Sequence, residues 1–84
     1  MANCAKLLAL ARNSSKNFRF EDLCTLAECY GWVFQRRSGS HHIYQHPGLG
    51  NTVGSMMNFQ SRDGKAKPTQ VRQLLDAIEG LSDE

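Results

Sequence analysis

Residues 32–48 read WVFQRRSGSHHIYQHPG. Trp32 to Ser38 is rich in aromatic and β-branched residues, which predicts a strand. Ser38-Gly39-Ser40 is turn chemistry. His41 to His46 predicts a second strand, stopped by Pro47 and Gly48. Gly39 and Pro47 bracket the segment too closely for a helix. A connection this short joins only antiparallel neighbours, so this stretch fixes a β-hairpin and the rest of the chain must pack against it.

Downstream, Gly48 to Ser55 (GLGNTVGS) reads as a glycine-rich loop and Ser55–Phe59 as a third strand, with Met57 and Phe59 on one face and Asn58 on the other. SRDGKAK (61–67) reads as a basic loop. Pro68 suits the first turn of a helix, where its missing N–H costs nothing. Val71, Leu74, Leu75 and Ile78 then form an apolar stripe, predicting a helix over Pro68–Glu79. Upstream, Phe20, Leu23, Cys24 and Ala27 follow helical spacing and predict a helix over Phe20–Tyr30. The polar NSSKN (13–17) separates it from a short helix at about 2–12. The expected order is α-α-β-β-β-α: an α+β fold with a three-stranded antiparallel sheet and helices on one face. With 84 residues, one domain covering 1–84 is expected, ending in an acidic tail at 81–84.

No stretch approaches the roughly 20 apolar residues of a membrane span. AKLLALA (5–11) is short and interrupted by Lys6, and reads as an amphipathic helix. The three cysteines are Cys4, Cys24 and Cys29. An odd count without a convincing export signal predicts reduced thiols and a cytoplasmic protein. Cys24 and Cys29 lie on one helix and point apart, so Cys24 is expected in the core and Cys29 on the surface. Net charge is +2, but between Gly31 and Leu75 Asp63 is the only acid among Arg36, Arg37, Arg62, Lys65, Lys67 and Arg72. That imbalance fits a polyanionic partner, and equally a solvated surface.

All three histidines, His41, His42 and His46, lie in the second predicted strand. His42 and His46 would sit about 13 Å apart on one strand face, too far to share a metal ion. His41 and His42 point to opposite faces. A Cys–His nucleophile pair lacks cations near either cysteine. Acid–base chemistry on RNA needs no metal, because the 2′-hydroxyl supplies the nucleophile. From spacing alone, histidines as polar residues on a strand surface remain the plainer reading.

SGSHHIYQHP (38–47) resembles the glycine–serine–histidine motif of the HicA toxin family, small ribonucleases of bacterial toxin–antitoxin pairs. RFEDLCTLAECYGW (19–32) resembles the family's first helix and the aromatic residue opening its first strand. MNFQSRDGKAKPTQVRQLLDAI (57–78) resembles the third strand, basic loop and last helix of a branch with a GKAKP loop. The resemblance implies a double-stranded-RNA-binding-domain-like fold and a metal-independent endoribonuclease that needs no cofactor. The resemblance also implies that messenger RNA is the target, that a HicB-like antitoxin silences the enzyme, and that the free toxin is monomeric. The catalytic histidine falls on His41, with His42 as the fallback. Arg36, Arg37, Gly39, Ser40, His42, Lys65 and Lys67 form the expected RNA-binding set. His46 matches a frequent histidine before proline, with a structural role. Gln60 stands where many members carry a second histidine, which allows an alternative: a silent RNA-binding module of the same fold.

Overall fold

The computed structural model describes residues 3–50 and 54–82. Ala2, Asn51–Val53 and the acidic residues Asp83 and Glu84 lie outside them, so the middle of the expected glycine-rich loop and the end of the expected tail are not described. Helices α1 (Cys4–Asn13) and α2 (Phe20–Cys29) precede strands β1 (Val33–Ser38) and β2 (His41–Gln45). A 3-10 turn at Pro47–Leu49 leads to β3 (Met56–Arg62), β4 (Lys65–Ala66) and α3 (Pro68–Ser82).

The sheet has four antiparallel strands in the order β1-β2-β3-β4. This corrects the expected three-stranded sheet of a double-stranded-RNA-binding-domain-like unit. The supposed basic loop is a hairpin. Asp63 and Gly64 both have positive φ, at 54° and 81°. Positive φ at both central residues is the two-residue turn whose twist matches the flanking strands, and Asp-Gly is a preferred pair for it. Strand β3 therefore runs on to Arg62, and Lys65 and Ala66 return beside Arg62 and Ser61. The far edge of β4 meets the chain entering α2: Ala66 N–H donates to Phe18 O at 2.9 Å and Phe20 N–H to Gly64 O at 3.0 Å.

One face of the sheet carries the core. Tyr44, Met57, Phe59 and Ala66 are buried there against Leu23, Leu26 and Ala27 of α2 and Val71, Leu74 and Ile78 of α3. Trp32 is buried at the entry to β1, donating Nε1–H to Gly54 O at 3.0 Å. Its ring packs edge-on against His46, with centroids 4.7 Å apart. His46 bridges two loops: Nε2 lies 2.9 Å from Tyr30 O, and Nδ1 accepts from Gly48 N–H at 3.0 Å. The first contact needs a proton on Nε2 and the second a lone pair on Nδ1, so one neutral tautomer satisfies both.

Cys4 and Cys29 form a disulfide, with Cα atoms 5.9 Å apart. This corrects the expectation of reduced thiols with Cys29 as a lone surface cysteine. Packing of α1 on α2 brings the first residue of one helix to the last residue of the other, a proximity that spacing along either helix cannot reveal. Cys24 is the free cysteine, half-buried. The bond spans 25 residues of chain, and a loop of that length stabilises a fold by roughly 2–4 kcal/mol through the unfolded state. Dithiothreitol should therefore lower the urea midpoint, and Cys4→Ala should reproduce the loss. An unchanged midpoint would mean that α1 adds little to cooperative folding.

Candidate functional site

Alternation along β2 sorts its histidines. His42 and Tyr44 face the helices, whereas His41, Ile43 and Gln45 face away. Directly paired residues share a face, so Ser38 of β1, His41 of β2 and Gln60 of β3 form one row across the open face. Arg36, Ile43 and Asn58 form the next row.

The row on β1 depends on a bulge. Phe34 pairs with Tyr44, but Arg36 pairs with Ile43, leaving Gln35 as an extra residue. One extra residue inverts the alternation. Arg36 and Ser38 are thus turned to the face of His41, and Arg37 joins His42 on the other. The two arginines, grouped together from sequence, point to opposite sides. Gly39 and Ser40 form the two-residue turn beside them, with φ of 60° at Gly39. Only glycine takes that angle at no steric cost, and glycine in the first position marks the tight hairpin turn that matches strand twist.

His41 is half-buried within a hydrogen-bonded cluster. Its Nδ1 lies 3.0 Å from Asn58 Oδ1. The Gln60 amide nitrogen lies 2.8 Å from Nδ1 and 3.2 Å from Nε2. Gln60 Oε1 accepts from the Lys67 ammonium. The Gln60 backbone N–H donates to Gln70 Oε1 at 2.8 Å, which ties β3 to the first turn of α3. Sequence reasoning placed Asn58 opposite Met57 and Phe59 but gave it no functional role, and treated Gln60 only as a departure from the family pattern. Period-two alternation from Met57 and Phe59 was the signal that puts both on the face opposite the core.

The same alternation, carried round the Asp63-Gly64 turn, puts Arg62, Lys65 and Lys67 on the open face. Lys65 and Arg62 are exposed; Lys67 is half-buried through its contact with Gln60. Arg62 was not among the expected contact residues. Arg36, Arg62, Lys65 and Lys67 give this face four cationic side chains.

His42 has a different setting. Its ring packs edge-on against Phe20 at 4.8 Å, and its Nδ1 lies 3.3 Å from Ser40 O. Ser40 itself is exposed in the turn. The three imidazoles thus have separate surroundings, and among the described residues no group of three His, Cys, Asp or Glu side chains is placed to hold a metal ion. Burial pushes the Cys24 thiol up in pKa, only partly offset by its hydrogen bond with Tyr44. A thiol held neutral is a poor nucleophile. Tyr44 is likewise raised, chiefly by burial.

The family profile described as the HicA toxin of bacterial toxin–antitoxin systems matches residues 20–78. The chain belongs to the HicA toxin family. The match runs from α2 through the four strands into α3, and α1 lies outside it. It is to the family as a whole. No curated protein and no solved structure matches the chain. Among the described residues of this HicA-family chain, no helix is long and apolar enough to cross a membrane.

Proposed function

We propose that the chain is a metal-independent endoribonuclease that cuts messenger RNA, the toxin of a toxin–antitoxin pair, with His41 as its general base. The observation that carries this is the setting of His41: an imidazole on the open face of the sheet, in contact with the Asn58 and Gln60 amides, with the Lys67 ammonium bound to the far side of Gln60. The His41 imidazole takes the proton from a ribose 2′-hydroxyl. The freed oxygen attacks the adjacent phosphorus, and the 5′-oxygen of the next nucleotide leaves with a proton from water. The products are a 2′,3′-cyclic phosphate and a 5′-hydroxyl. Lys67, Lys65, Arg62 and Arg36 stabilise the charge that builds on the phosphate oxygens. Gly39 and Ser40 let backbone and hydroxyl approach the strand, and Arg37 and His42 extend the contact round the hairpin's other side.

Family membership supports a HicB-like antitoxin as the protein partner and a cytoplasmic site of action, with the free toxin a monomer. The GKAKP sequence at 64–68 supports a place in the branch with that motif. A second reading, the silent RNA-binding module, is favoured by Gln60, whose amide donates hydrogen bonds but cannot act as a proton-transfer acid or base where a second histidine is expected.

Purified chain incubated with RNA in excess chelator separates these. Cleavage with cyclic-phosphate ends, absent on a substrate lacking the 2′-hydroxyl, is the expected result. Salt-sensitive binding with no cleavage of any RNA would leave the silent module. Cleavage lost on chelation would sink the metal-free mechanism.

A further inference from the structure

We propose that the end of the open sheet face farthest from His41 is a nucleobase subsite, formed by Val33, Ile43, Gln45 and Met56, for an unpaired base of the RNA. The proposal rests on the reading of the chain as an RNA-cutting protein, and concerns the part of that substrate which the cations do not hold.

The open face is graded in polarity. Ser38, His41 and Gln60 form the row nearest the Gly39-Ser40 turn, Arg36, Ile43 and Asn58 the next, and Val33, Gln45 and Met56 the last. Arg36 stands in the second row, and Arg62, Lys65 and Lys67 lie beyond Gln60. The last row carries no charge. Among the described residues the exposed large apolar side chains are Leu10, Val33, Phe34 and Met56. Val33, 51% exposed, and Met56, 58% exposed, both fall in this last row, on either side of Gln45. Half-buried Ile43 stands between that row and His41. With strands about 4.8 Å apart, Val33 and Met56 are about 10 Å from each other. That leaves room for one flat base laid over Ile43 and Gln45.

The occupant follows from what each end can hold. A phosphate needs cations and finds them around His41. At the other end Met56 shares a cleft of about 380 Å³ with Gln73 and Asp76 of α3, and a carboxylate there repels phosphate. A base is uncharged at neutral pH and apolar on its faces, so it suits the end that the backbone avoids. Bases pack on side-chain surfaces with little regard to sequence, and a methionine side chain adapts its shape to what it meets. The Gln45 amide offers donor and acceptor side by side, which is what a base edge presents in complement. Four residues of β2 separate His41 from Gln45, about 13 Å. The base therefore belongs to a nucleotide close to the scissile phosphate, and its fit sets where the chain is cut.

The test separates base from backbone. Full-length chain is titrated into labelled 2′-O-methyl RNA hexamers, which cannot be cut, and into a hexamer of the same charge built wholly of abasic tetrahydrofuran units. Met56→Ser should bind the normal hexamers about 10-fold more weakly than the parent, within the range for losing one packed base. It should bind the abasic hexamer as the parent does, with an unchanged salt slope. Should Met56→Ser fail to fold, Val33→Ser on the neighbouring edge should give the same pattern. Lys65→Ala with Lys67→Ala should instead weaken both hexamers alike and flatten the salt dependence. In Gln45→Leu the spread of affinity among adenine, cytosine and uracil hexamers should narrow. Equal losses on normal and abasic hexamers, or no loss on either, would overturn the subsite. A parent that is a dimer in solution and a monomer as Met56→Ser would also overturn it, since a second copy would then cover the row. A chain that binds no RNA overturns both this proposal and the RNA reading. A chain that shows the base-dependent pattern but cuts nothing upholds the subsite and counts against the general-base reading alone.

Discussion

Replacing His41 with alanine should abolish detectable RNA cleavage and leave a folded protein. A general base contributes roughly 10²–10⁴-fold to a rate, and among the described strand residues on the open face the other polar groups are amides, hydroxyls and cations, none of which can replace it. The fold should survive because His41 is only half-buried and faces away from Tyr44, Met57 and Phe59. RNA binding should fall little, since phosphate contacts dominate affinity. His42→Ala is the control within the same strand. It removes the ring packed on Phe20 at 4.8 Å, a contact worth about 0.5–1.5 kcal/mol of stability, yet it should still cleave. Relief of growth arrest on expression should follow the same split. If His42→Ala is dead and His41→Ala is active, the facing of β2 has been assigned the wrong way round. If both cleave like the parent, neither histidine is the base.

The second large effect is on stability. Phe59 is fully buried on β3, between Asn58 and Gln60, and its ring lies 5.5 Å from that of Tyr44. Phe59→Ala should cost about 3–5 kcal/mol through lost burial and the cavity left behind. Total stability for a domain is on the order of 5–15 kcal/mol, so the variant should be close to unfolding. Urea titration should show a lower midpoint with an unchanged slope. Phe59→Leu keeps most of the volume and should cost less. A loss below about 1 kcal/mol for Phe59→Ala would mean that β3 does not turn this residue into the core, contrary to typical core truncations. Asn58 and Gln60 would then not share the face of His41, so the stability measurement also tests the site.

Much of this was written in local patterns. The hairpin at 32–48, the stripe of α3 and the opposite facing of His41 and His42 all follow from strand and helix periodicity. The fourth strand is legible too, since Asp63-Gly64 is a hairpin signal, although lysines at this density equally suit an exposed basic loop. What no pattern carried are the relations between distant segments. The bulge at Gln35 is visible only in the pairing of β1 with β2. Without it Arg36 and Arg37 would exchange faces. The Cys4–Cys29 bond needs α1 laid against α2.

By itself, the sequence determined the element types, the core stripes and the face of each strand residue within an unbroken run, because backbone geometry repeats every 2 or about 3.6 residues whatever lies beyond it. The tertiary structure decided which of those residues meet. Register placed Gln60 opposite His41 and Asn58 one diagonal step away, and the return of the chain through β4 brought the Lys67 ammonium to the Gln60 amide. A glutamine that looked like a missing histidine is there a fixed hydrogen-bond donor beside the imidazole. Such roles arise from contacts between strands, and contacts depend on how separate segments pack to bury Phe59, Leu23 and Leu74 together.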